Sequence, residues 1–458
     1  MEGDYELSAR GQEMLSYISH KRTSLSAPGT MLNSLYYDTL QASVEAVECT
    51  FNHGRYVSSL ASPVFGGTST VILANNDFVG NVYLHAELPN LWPGQTLSRG
   101  WLWGAIASIQ YLVGNSSSSQ VSLNGQSMWH KIAMQCDTAE RRSEMFRLGG
   151  DEYLGPIQRT GSTGLPERDP NAIISADIII PMPWSSATGS TGQGKKAFDT
   201  SLLNNPITIT VAFERNTSIY GGSVSPNQFP SAFTSAQMSF RQGELRYKNM
   251  SLEGELKMNP SLSLFYPSIF TTYQTPPVFQ GSQTQPISVP LLGILNGDLL
   301  SITIGVVRQS LLEGIQTVAN QNLYTAPSKF TYDAIQDVRL LFNGQVMFNA
   351  PRSSWRLATM VSSPGAQYFH NSLVTINPTT GVSTSVPQDS YMLHIDFSQF
   401  RTTTFESMFA NTWRIGNNTL TMQFVTEGDQ TISYQMFVSY NYNSVIQVQN
   451  GNTLLYFD

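Results

Sequence analysis

Charge is what this sequence has least of. Only 12% of its 458 residues are Asp, Glu, Lys or Arg, about half the usual fraction. The formal net charge is −7, which argues against a surface that holds nucleic-acid phosphate. The adjacent basic pairs, such as Lys195-Lys196, are too short to change that. Cysteine is almost missing: Cys49 and Cys136 stand alone, too few for a zinc cluster or a disulfide framework, and the reading is two reduced thiols. Long apolar runs are missing as well, since none reaches the roughly 18 residues of a membrane helix. The opening MEGDYELSAR is acidic and polar, so the expectation is a protein made without an export leader.

What is plentiful is Ser, Thr, Asn, Gln and Gly, with 23 Phe, 20 Tyr and 7 Trp. A polar, weakly charged, aromatic-rich chain fits an all-β protein. It also fits one that buries surface against neighbours, because uncharged surface is cheap to desolvate. The length allows roughly two to four domains.

One pattern occurs twice. Trp103 to Trp129 reads WGAIASIQYLVGNSSSSQVSLNGQSMW, and KFTYDAIQDVRLLFNGQVMFNAPRSSW starts at Lys329. Each begins as an alternating strand, with Ile109, Tyr111 and Val113 on one face and Val338, Leu340 and Phe342 on one face of the later copy. Each reaches a predicted turn, Asn124-Gly125-Gln126 and Asn343-Gly344-Gln345, because Asn and Gly both accept positive φ. Trp129 and Trp355 follow. Two copies of one β domain are expected.

In chain order, residues 1–40 read as an arm. Leu7, Met14, Leu15 and Ile18 share one helical face, interrupted by Gly11, and would contact either their own subunit or a partner or membrane surface. Strands are predicted at Ala46–Val57, Thr68–Leu73, Val79–Leu88, Ile207–Phe213 and Ala236–Tyr247, with a short helix at Ala139–Leu148. Trp101 and Trp103, two apart, are placed on a strand. The apolar run Ile173–Pro183 ends where its prolines stop a sheet interior. The second half offers Leu299–Val307, Ala334–Phe342, Tyr391–Phe397, Leu420–Val425 and Thr431–Tyr442, the last with Ile432, Tyr434, Met436, Val438, Tyr440 and Tyr442 on one face. About eight strands per half, few helices and long loops predict two tandem jelly-roll β-sandwiches. The division is an arm at 1–40, a first roll at 41–256 and a second at 257–458.

No catalytic constellation emerges, and the protein is read as no enzyme and without a cofactor. Gly189 to Lys196 approximates a P-loop, but Lys196 stands where magnesium needs Ser or Thr. His394 and Asp396 have a chelating spacing without an evident third ligand. His130 and His370 are read as hydrogen-bonded structural residues. Trp92, Trp101, Trp103 and Trp184 offer an alternative, a carbohydrate-binding lectin-like jelly roll, although Trp101 and Trp103 suit a core better.

Several segments together are similar to a family. IQYLVGN with LNGQSMW, IIIPMPW, LRYKNMSLEGEL, VRLLFNGQVMF, AQYFH and SYMLHIDFSQF follow one another as in the double jelly-roll major capsid proteins of icosahedral double-stranded DNA viruses. That group spans the nucleocytoplasmic large viruses, tectiviruses and adenovirus hexons. The Gln-Pro-Ser-Gly-Thr-x-Asn-Phe-Ser run of many members is replaced here by SQFRTTTFES. The resemblance implies a homotrimeric, pseudo-hexagonal capsomer in a virion. It implies contacts with neighbouring capsomers and with minor capsid and penton proteins, an indirect relation to an internal membrane, and no direct nucleic-acid contact. Synthesis in the host cytoplasm or a viral factory goes with it.

Overall fold

The structure is a computed structural model. It describes residues within 50–150, 173–182, 198–222, 239–253, 264–312, 329–351, 369–396 and 419–457, with short breaks in several of these. The proposed arm with Leu7, Met14, Leu15 and Ile18, the loop from Gly189 to Lys196, and Cys49, Trp92, Trp184 and Trp355 lie outside the described residues.

Eight strands build a first sandwich: β1 (Thr50–Ser59), β2 (Thr68–Ile72), β3 (Phe78–Leu88), β4 (Ile106–Leu112), β5 (Val121–Leu123), β6 (Ile174–Ile180), β7 (Thr208–Phe213) and β8 (Gln242–Glu253). Eight more build a second: β9 (Leu264–Gln274), β10 (Ile287–Leu291), β11 (Leu299–Arg308), β12 (Ile335–Phe342), β13 (Gln345–Ala350), β14 (Leu393–Asp396), β15 (Leu420–Thr426) and β16 (Ser433–Gln449). A further strand, β17 (Asn452–Phe457), pairs with β16. The first sandwich has sheets ordered β1-β8-β3-β6 and β2-β7-β4-β5; the second has β9-β16-β11-β14 and β10-β15-β12-β13. Counted within each half, both read first-eighth-third-sixth and second-seventh-fourth-fifth. That order is a jelly roll, two Greek keys wound into one sandwich.

The strands form because period-two patterns bury one face. Along β16, Tyr434, Met436, Val438, Tyr440 and Tyr442 are each fully buried, as the alternation predicts. They meet Ile302, Ile304, Val338, Leu340, Met422 and Phe424 in the second core. In the first core, Val82, Leu84 and Ala86 of β3 face Ile109, Tyr111, Ile209 and Val211. Burying each large side chain contributes about 1.5–3 kcal/mol.

β9 and β10 contain Pro267 and Pro290. Both are edge strands, where one side of the backbone has no ladder to break. Their prolines hide them from a strand search. The backbone ribbon Phe369–Ile376 with Ser383–Ser390 is likewise an addition, and carries Pro387.

Four helices are described; besides a single turn at Gln309–Leu312 they are α1 (Trp101–Gly104), α2 (Gly125–Gln135) and α3 (Ala139–Leu148). α1 corrects the placement of Trp101 and Trp103 on a strand. All four of its residues are buried, so burial on every side mimicked a period that was not there. α2 corrects the first Asn-Gly turn. Asn124 is the N-cap of α2, in extended conformation, and its side chain accepts the Ser127 N–H at 2.8 Å. Asn caps helices as readily as it makes turns. Asn343 and Gly344, with φ of 50° and 80°, do form a two-residue turn joining β12 to β13. The two Asn-Gly-Gln stretches therefore occupy different topological places, one after a fifth strand and one before it.

Candidate functional site

Among the described residues the two sandwiches meet around α2. Its residues from Gln126 to Ala133 are all buried, including His130 and Lys131. A helix buried all round lies inside a larger core. Gly125 lets it enter: a Cβ there would sit 1.7 Å from the Trp103 carbonyl oxygen. On one side Trp129 packs on Trp103 and Phe146, with ring centroids 5.5 and 4.9 Å away. Phe146 in turn meets Phe330, which precedes the second sandwich's β12, edge to face at 5.4 Å.

On the other side His130 bridges the halves. Its Nδ1 lies 3.0 Å from Ser439 Oγ on β16, and its Nε2 lies 3.0 Å from the Tyr332 hydroxyl. A neutral imidazole donates from one nitrogen and accepts at the other, and hydroxyls can answer either way. Gln126 Nε2 donates to the Lys329 carbonyl at 2.8 Å, and Lys329 Nζ donates to the Gly104 carbonyl at 3.1 Å and to Glu214 at 3.0 Å. A second group of stitches lies further along. Asn204 N–H donates to the Gly451 carbonyl at 3.0 Å, and the Thr453 hydroxyl donates to the Val113 carbonyl.

The sheet that faces α2 is polar on that side. Thr303 Oγ1 and His394 Nδ1 are 3.1 Å apart, and Asn441 links Thr271 and Ser301 at 2.8 and 2.9 Å. His394 is 3% exposed, so the residue with chelating spacing is a buried seam residue. The side chain of Asp396 lies outside the described ones, as does that of His370. Among the described residues, no group of three His, Cys, Asp or Glu could hold a metal ion. No helix among them is long and apolar enough to cross a membrane.

Burial, with the charge of His394 nearby, lowers the His130 pKa to about 3, and burial lowers that of Lys131 to about 7. Between pH 3 and 6.5 the unfolded chain therefore holds a proton at residue 130 that the folded chain does not, so stability falls as pH drops below 6.5. Lys131 acts in the same sense from about pH 10.5 down to 7. Acidification from pH 7.5 to 4.5 is expected to remove on the order of 2 kcal/mol through His130. Urea unfolding of the parent and His130→Asn at both pH values checks this: the variant should lose that part of the slope. An unchanged slope would assign it to other groups.

The sequence pointed to Asn124, Gly125 and Gln126 at the right place for the wrong reason. They open the helix that joins the halves, and Gln126 itself makes a stitch. Asn343, Gly344 and Gln345 lie at an exposed hairpin tip away from it. Ser439, Tyr332 and Lys329 had no sequence signal beyond alternation.

No protein-family model and no curated protein sequence matches the chain. Solved structures do resemble it. A chain of the PBCV-1 virus capsid aligns with a TM-score of 0.56 and 11% identity, covering 90% of this chain and 97% of its own. The structure of the Sputnik virophage gives 0.52 and 11%, covering 89% of this chain and 88% of its own. The mavirus major capsid protein gives 0.50 and 11%, covering 89% of this chain and 90% of its own. The shared property is the fold, a tandem pair of jelly rolls.

Proposed function

We propose that this chain is a structural major capsid protein, a tile of an icosahedral virion shell. The supporting observation is that nine-tenths of it follows nearly the whole length of viral capsid chains, with the same strand order wound twice. Two sandwiches per chain give three chains a six-sided outline, suited to tiling a curved shell. In this reading the functional unit is a homotrimeric capsomer, contacting neighbouring capsomers and minor capsid and penton proteins. The chain divides into an arm at 1–40, a first roll at 41–256 and a second at 257–458, with the arm facing inward towards a partner. No catalytic role is assigned.

The lectin-like alternative loses two of its four tryptophans, because Trp101 and Trp103 are 0% and 1% exposed. Light scattering of the purified chain across a dilution series tests the capsid reading. A particle about three times the 50.6 kDa chain mass that resists dilution is expected, with a pseudo-hexagonal outline by electron microscopy. A stable monomer whose tryptophan fluorescence responds to oligosaccharides would overturn it.

A further inference from the structure

The first sandwich divides its charge unequally between its two sheets. Its β1-β8-β3-β6 sheet carries charges of both signs, among them Glu87, Asp177, Arg246 and Lys248. The strands of its β2-β7-β4-β5 sheet read TSTVI, TITVAF, IASIQYL and VSL, with no Asp, Glu, Lys or Arg on either face. Val71, Ile209, Val211 and Ile109 point into the first core, so the alternate residues make an uncharged outer face.

Strand register arranges that face in rows. Thr70, Thr210 and Gln110 form a middle row, and Ile72, Thr208 and Leu112 form an end row. None of the six is buried, and Ile72, on the edge strand β2, is 62% exposed. The Thr70 and Thr210 hydroxyls lie 3.1 Å apart. They partner each other before anything docks, which lowers the cost of taking them out of water. Glu214, one residue past β7, is paired with Lys329 at 3.0 Å.

Depletion of charge marks the centre of interfaces, and an open sheet face without charge lacks the usual guard against association. The same chemistry selects the partner. A charged surface laid on this face would lose its hydration and meet no counter-charge. Of the other outer sheet faces, that of β1-β8-β3-β6 is charged. That of β9-β16-β11-β14 is occupied by α2. That of β10-β15-β12-β13 carries Asp337 and Arg339, both exposed. The sheet face that matches is the same one on another molecule.

We propose that the outer face of the β2-β7-β4-β5 sheet packs against the same face of a second copy of this chain. The contact is two-fold, with the sheets about 10 Å apart and Thr210 near the axis, close to its own counterpart. Four strands about 4.8 Å apart, at about 3.4 Å per residue, give a face on the order of 300 Å² over the five residues of β2. Two such faces fall well short of the area of a stable interface. The contact is therefore too small to hold two chains in dilute solution, and gains strength where several act together. A trimer would carry three such faces, and threefold particles joined through two-fold contacts extend into a sheet. That last step rests on the trimeric reading above; the docking face itself does not.

The test is sedimentation of the full chain over a rising concentration series, with the parent beside Thr210→Lys and Thr210→Glu. The parent should grow beyond its dilute mass. Either variant alone should need about tenfold more protein to do so, because like charges meet at the axis. An equal mixture of the two should restore growth, since lysine then faces glutamate. Thermal unfolding checks the fold of each variant. Hydroxyl-radical footprinting of the parent covers a variant that misfolds: Ile72 should lose labelling as concentration rises. A chain that is monomeric when dilute and pairs through this face overturns the trimeric reading and upholds this one. A parent that never grows, variants that grow as the parent does, or growth that leaves Ile72 labelled overturns the docking face alone. A mixture no better than either variant overturns the two-fold arrangement.

Discussion

Trp129→Ala is expected to destabilise the protein by about 3–5 kcal/mol, the usual cost of emptying a buried indole site. Trp129 is fully buried, and its ring contacts come from two different elements, α1 through Trp103 and α3 through Phe146. Phe146 also carries the contact onward to Phe330. The cavity would open in the first core beside the Phe146–Phe330 contact, so the first half should lose stability directly and the second through that contact, in urea unfolding monitored by several probes. Trp129→Phe should recover part of it. A loss below about 1 kcal/mol would mean that the seam closes around the gap, contrary to the density of ring contacts there.

Gly305→Val is expected to cost about 3 kcal/mol or more, by overpacking and by the loss of a buried hydrogen bond. Gly305 lies on β11, and a Cβ there would come within 2.3 Å of the Tyr332 ring. Tyr332 is 1% exposed and its hydroxyl is one of the two partners of His130. A side chain at 305 must therefore push out the tyrosine that holds the histidine. Combining Gly305→Val with Tyr332→Ala should give a double variant more stable than the sum of the two losses predicts, because the clash disappears once the ring is gone. Strict additivity in thermal unfolding would separate the glycine from the tyrosine and refute the mechanism.

The jelly-roll pair was legible because most of its strands obey alternation. β3, β7, β12 and β16 were visible from a single buried face each, and Tyr434 to Tyr442 gave β16 almost residue by residue. β9, β10 and β17 were not. The first two hide behind Pro267 and Pro290, tolerated because among the described residues nothing pairs on their outer side. β17 is short and needs β16 beside it to be a strand at all. The seam was the least legible part. His130 looks in sequence like any polar residue after a turn signal, and its partners are 202 and 309 positions away. His394 had a spacing that suggested a metal, whereas its distinguishing property, burial on the side of a strand opposite Leu393 and Ile395, belongs to the packing of one half on the other.

Those sequence separations also set an order of events. His130 and Ser439 are 309 positions apart, and Val113 and Thr453 are 340 apart. Closing such loops is slow compared with pairing neighbouring strands. Each sandwich must also close long loops of its own, Thr50 to Glu253 and Leu264 to Val448, and the joining of two finished halves is the expected last event, as a docking step with its own rate. During that interval α2 of one molecule faces a choice between the β16 of its own chain and that of another. Dilute refolding favours the internal partner, whose local concentration does not depend on how much protein is present. Crowded refolding favours exchange, and yields molecules with correctly folded halves joined to the wrong partner. The histidine bridge is the same whichever copy supplies the second half, so concentration, not the contact itself, decides which second half joins which first half.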